Sequence, residues 1–106
     1  NIGVLLDTFH LNIEEKDIKL AIVNAGKHLK HFHVSDNDRG VPGSGHVPWS
    51  EVKSGLSDIN YNGWIVAEMF VISGNPASSD LNIWRDIETD PTQAAKLSLE
   101  FMRKNF

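Results

Sequence analysis

The sequence contains no cysteine. That absence removes disulfide staples, thiolate zinc sites and thiol nucleophiles together, so stability must come from packing, and any metal must be held by oxygen or imidazole nitrogen. Long apolar runs are missing as well. None approaches the roughly 20 residues of a spanning helix, and no basic-then-apolar leader precedes the first of them. No membrane association is expected, and the expected location is the cytoplasm. Basic charge is in deficit, with Lys+Arg 10 against Asp+Glu 14, a formal net charge of −4 and no basic block. Nucleic acid is therefore not an expected partner, because phosphate-backbone binding asks for clustered cations; a small polar ligand is. A length of 106 residues leaves room for one domain and not for two. The chain opens at Asn1 without an initiator Met and runs directly into apolar residues. Residues 1–106 are accordingly expected to be a single partial domain, cut from something larger.

Three short apolar runs share one design: Ile2 to Leu6 followed by Asp7, Leu29 to Val34 containing His31 and His33, and Trp64 to Ala67 followed by Glu68. Val, Ile, Leu and Phe crowd them without clean polar alternation, the pattern of parallel strands covered on both faces. Helical periodicity separates them. Residues 14–25 set Ile18, Ala21, Ile22 and Ala25 on one face, with Asn12 and Glu15 spaced as a capping box and Gly26 as a stop. Residues 48–59 repeat the arrangement, with Pro48 suited to a first turn and Val52, Leu56 and Ile59 inward. A polar stretch from Ser73 to Asp80 follows the third strand, and a short helix is expected around Leu81 to Asp86. Asp90, Pro91 and Gln93 then start a last helix that turns Ala94, Leu97 and Phe101 inward and ends on Arg103 and Lys104. The result is an α/β chain of parallel βα units of about 30 residues each, joined by right-handed crossovers. A closed barrel needs eight such units and ~250 residues, so three of them read as part of a larger fold.

Each strand delivers a metal-capable side chain at or near its carboxyl end: Asp7, His33 and Glu68. In parallel α/β folds that edge is where sites are built. Two carboxylates and an imidazole form a mixed oxygen and nitrogen set suited to Mn²⁺, Mg²⁺ or Co²⁺, with Zn²⁺ or Fe²⁺ also accommodated. Three ligands leave positions open, as in catalytic rather than structural sites. The plainer reading has Asp7 and Glu68 capping loops or pairing with lysines and His33 as a hydrogen-bonded strand residue. His10 lies three residues past Asp7, in the loop expected before the first helix, within reach of a ligand bound there. After His33 comes a long Gly- and Pro-punctuated loop holding Arg39 among acids; loops of this length are often functional. Arg39 is suited to donate to substrate oxygens, and equally to form a surface ion pair with Asp36 or Asp38. His31 and the tryptophans Trp49 and Trp64 read as packing residues, Trp84 as part of a variable segment, and His28 as solvated.

Taken together, Leu5-Leu6-Asp7-Thr8-Phe9-His10-Leu11-Asn12, His31-Phe32-His33-Val34, Asn37-Asp38-Arg39, Val41-Pro42-Gly43, Val47-Pro48-Trp49 and Gly63-Trp64-Ile65-Val66-Ala67-Glu68 resemble the ketose 3-epimerases of the tagatose and psicose type. These belong to the xylose isomerase-like (β/α)₈ TIM-barrel superfamily of sugar isomerases and epimerases. The likeness spans nearly the whole chain, including Asp80 to Asp86, and implies the carboxyl-terminal half of such a barrel. It implies that Asp7, His33 and Glu68 are three of four ligands of a divalent metal, usually manganese. Glu68 would also be one of two glutamates that move the C3 proton of a ketose through an enediolate, and His10 and Arg39 would contact substrate oxygens. The sequence departs from the pattern at Asp36, where the family often has Glu, and at Ser44, where Thr is frequent. The resemblance places the fourth ligand and a further substrate-contacting glutamate on earlier strands, so the 106 residues alone are expected to be inactive. A homo-oligomer, or pairing with an amino-terminal half, is the expected assembly. Aldose–ketose isomerisation, hydroxypyruvate isomerisation, inosose processing and a non-catalytic assembly role are the competing functions.

Overall fold

The computed structural model describes residues 2–106. Strands β1 (Val4–Asp7), β2 (Leu29–Val34) and β3 (Trp64–Ala67) form one sheet in the order β1-β2-β3, with both pairings parallel. Helices α1 (Thr8–Glu14), α2 (Ile18–Ala25) and α3 (Trp49–Asp58) fill the crossovers, and α4 (Pro76–Asp80) and α5 (Pro91–Asn105) follow β3. The expected βα order is therefore observed, and all three strands end on one edge.

The sheet has two unlike faces because side chains alternate along each strand. Phe32 and Val34 of β2 are buried against α2 and α3 together with Ile18, Ile22 and Val52, Leu6, Ile65 and Ala67 pack onto the same core, and Leu29 joins it where the register with β1 shifts. Leu5, His31, Trp64 and Val66 lie on the other face, where register pairs Leu5 with His31 and His31 with Trp64. Trp64 is 77% exposed. The expectation of strands covered on both sides thus holds for one face only among the described residues, and neither Trp64 nor the half-buried His31 is a core residue.

The first crossover differs from the single helix expected over residues 14–25. Asp7 closes β1 and caps α1 at once, accepting the Phe9 N–H at 2.8 Å. The helix therefore starts at Thr8, and His10 sits on it rather than in a loop. Glu15 is extended and ends α1, and Asp17 caps α2 by accepting the Leu20 N–H. Two aspartates supply strong N-cap acceptors, and the Asn12/Glu15 pairing does not. Gly26 ends α2 at φ 49, as its position suggested. The short helix also lies earlier than expected, at Pro76–Asp80, since Asn75 caps it and Pro76 occupies its first turn. In α5 the buried stripe is Ala94 and Ser98, while Leu97 faces solvent. Among the described residues no helix is long and apolar enough to cross a membrane.

Where α2 meets α3, Ile22 is wholly buried and its side chain fills the space that a Cβ at Gly55 would need. Ile22→Ala leaves a cavity that the close helix packing cannot collapse, with an expected loss of about 3 kcal/mol, within the usual range for such truncations. Urea unfolding monitored by circular dichroism measures it.

Candidate metal centre

Register sets Asp7 directly opposite His33 across the β1–β2 pairing, and Glu68 follows β3 with its N–H donating to the Val34 carbonyl. Three side chains from three strands are thereby brought to one place. Asp7, His33 and Glu68 each offer a ligand atom, and these atoms lie within 4.8 Å of one another. His33 Nδ1 is 3.9 Å from Asp7 Oδ2 and 3.4 Å from Glu68 Oε1. The two carboxylates differ in access: the Asp7 side chain is 5% exposed and that of Glu68 36%. Two hard oxygen donors and one imidazole in this spacing fit a divalent cation of the Mn²⁺, Mg²⁺ or Co²⁺ kind with positions to spare.

Arg39 enters this group from the loop after β2. Its guanidinium is buried; Nη1 donates to Asp7 Oδ2 at 2.6 Å and to Glu68 Oε2 at 3.1 Å. Nη2 is 3.1 Å from His10 Nε2, and since a guanidinium only donates, that nitrogen of His10 is the acceptor. The cation also lies over the Phe9 ring at 4.2 Å and 5.5 Å from the Phe70 ring. All five residues singled out from the sequence therefore meet. The surface ion pair with Asp36 or Asp38 does not form: Asp38 pairs instead with Arg85 at 3.0 Å.

The backbone holds Arg39 at φ 70, in the left-handed region that a residue with a Cβ rarely adopts. Hydrogen bonds fix it there. Its N–H donates to the Asp36 carbonyl, and its own carbonyl accepts the Phe70 N–H, which ties the loop to the segment after β3. Thr8 completes the frame, donating through Oγ1 to the Ser35 carbonyl at 2.6 Å and accepting the Ser35 N–H at 3.0 Å.

Asp36 is the residue that sequence reasoning undervalued. It is fully buried, and its carboxylate accepts from the N–H groups of Asn37, Gly43 and Val47 and from Trp49 Nε1. Burial pushes its pKa up, yet the converging N–H donors outweigh that and hold it below the ordinary value of 3.8. A Cβ at Gly45 would collide with the Asp36 and Asn37 side chains, so the loop closes tightly around this carboxylate. The legible signal was an Asp two residues after a strand, at the start of a glycine-rich loop; what it lacked was any hint that four donors converge on it.

A family model described as xylose isomerase-like TIM barrel matches residues 1–105. D-psicose 3-epimerase of Ruminiclostridium cellulolyticum is 44% identical over 97% of this chain and 37% of its own length. D-psicose 3-epimerase of Agrobacterium fabrum is 48% identical over 82% of this chain and 30% of its own. A crystal structure of D-psicose 3-epimerase determined in the presence of D-fructose superposes with a TM-score of 0.92 at 43% identity, covering 99% of this chain and 38% of that one. The chain thus spans about a third of the length of these relatives.

Asp36→Asn keeps the size but places an amide donor among N–H donors, with an expected loss of about 2 kcal/mol at neutral pH. Because the folded-state pKa lies below 3.8, this contribution is complete above that value and is lost as pH falls through the folded-state pKa. Urea unfolding of both proteins at pH about 7 and about 3 is expected to show the stability gap narrowing at the acidic end.

Proposed function

Because this chain belongs to the xylose isomerase-like TIM-barrel family, we propose that it supplies the metal-binding and proton-transfer side of a ketose 3-epimerase. The observation that carries the reading is the convergence of Asp7, His33 and Glu68 at one strand edge, and the psicose epimerases among its relatives support the choice of chemistry. Asp7, His33 and Glu68 are the residues that would hold the cation, with Mn²⁺ first and Mg²⁺ or Co²⁺ as alternatives. A bound divalent ion supplies Lewis acidity that lowers the barrier to losing a proton beside a ketose carbonyl.

The carboxylates divide the work by access. Asp7 is buried and caps α1, which suits it to a fixed ligand. Glu68 is a third exposed, which suits its carboxylate to reaching a sugar and removing or returning the proton at C3. His10 and Arg39 flank the same spot and would hold substrate oxygens, the arginine with the fork geometry that adjacent oxygens favour. A carboxylate on one face of a sugar inverts nothing alone; inversion needs a second acid–base group on the opposite face. The uncovered sheet face around Leu5 and Trp64 is proposed to be covered by association, with the rest of a barrel or with another copy.

Calorimetric titration is expected to show Mn²⁺ binding, weakened at least about tenfold by His33→Ala. With Mn²⁺ present, the 106 residues alone are expected to leave D-fructose unchanged at C3 by chromatography. Robust turnover would remove the need for a second carboxylate. Multi-angle light scattering at micromolar concentration is expected to show assembly, and a stable monomer would count against the covering of that face.

A further inference from the structure

The Asp7 oxygen that faces the proposed metal position is already held by Arg39. Oδ1 accepts the Phe9 N–H at 2.8 Å as the cap of α1. Oδ2 is the oxygen facing His33, 3.9 Å from its Nδ1, and the same atom accepts from Arg39 Nη1 at 2.6 Å. That one nitrogen also reaches Glu68 Oε2 at 3.1 Å. We infer that Arg39 is a resident cation on the metal ligands which a divalent ion must dislodge, so that metal loading and the freeing of Arg39 for substrate oxygens are one coupled step. The inference rests on the metal site proposed above and assigns its order of binding: metal first, sugar second.

Three features favour displacement over a passive orienting role. The guanidinium is 3% exposed, and like charges at close range repel strongly where water does not screen them. Its Nε is buried with no hydrogen-bond partner, so Arg39 is held here for its charge while a donor remains unused and available to another acceptor. The Phe9 ring 4.2 Å beneath it offers a flat surface along which the cation can shift and keep its π contact. Coupling of this kind is reciprocal: whatever draws Arg39 away from Asp7 and Glu68 must tighten the metal by the same factor.

Mn²⁺ titration of the protein by calorimetry, beside Arg39→Gln and Arg39→Lys, tests this without any turnover assay. All three side chains bear the same strain at φ 70, so the backbone is held constant. Arg39→Gln is expected to bind Mn²⁺ about tenfold more tightly or better. Its metal-free form is expected to melt below the parent, because Asp7 and Glu68 then face each other uncompensated, and Mn²⁺ is expected to raise its melting temperature by more. Arg39→Lys, which keeps the charge but cannot fork between two carboxylates, is expected to fall between the two, and it carries the comparison alone should the glutamine variant fail to fold. Unchanged or weaker Mn²⁺ binding in both variants overturns the inference and makes Arg39 an orienting partner of the ligands. Absence of binding in all three proteins overturns the metal site itself, a different failure.

Discussion

Parallel pairing in the register that sets Asp7 against His33 is the constraint from which the site descends. Adjacent parallel strands run about 4.8 Å apart, so residues in register at the strand ends are delivered within the span of one coordination sphere. Glu68 joins them because β3 pairs in step with β2 and its N–H continues the ladder onto Val34. A slip of one residue in either pairing would turn one of the three side chains to the helical face. The core under Phe32 and Val34 forbids such a slip, since it would expose both residues. Packing on one face of the sheet thereby fixes which side chains meet on its edge.

The loop after β2 solves a different problem. It must carry a buried cation into a cluster of acids, and it does so around Asp36, whose carboxylate gathers donors from a stretch reaching Trp49. Burying a charge is unfavourable unless it is fully hydrogen-bonded, and here full satisfaction of one charge shapes the loop that positions another. Asp7 behaves likewise in serving as strand end, helix cap and ion-pair partner of Arg39 together. Economy of this sort leaves each carboxylate with little freedom to be replaced.

How much of this the sequence disclosed follows from the range of the interactions involved. Strand runs, the last helix and the convergence of the three strand-end side chains rest on local pattern and were legible, as were the motifs of Asp7 to Asn12 and Gly63 to Glu68. The split between α1 and α2 was missed because Asp7, read as a ligand, also acts as a cap, and one side chain was credited with one role. Burial of both strand faces was overestimated for Leu5, Trp64 and Val66, since an apolar run records what a strand is made for, without saying which part of the surroundings covers it. Arg39 had two readings of equal chemical sense. Hydrogen bonds to Asp36 and to Phe70, the latter far along the chain, fix where its backbone points.

The left-handed backbone at residue 39 sets a limit on how this protein can be improved. Glycine relaxes there without strain, yet it would also remove the guanidinium and leave Asp7 and Glu68 facing each other uncompensated. Backbone ease and charge balance are thus opposed at a single codon, and the arginine found there records which of the two prevailed.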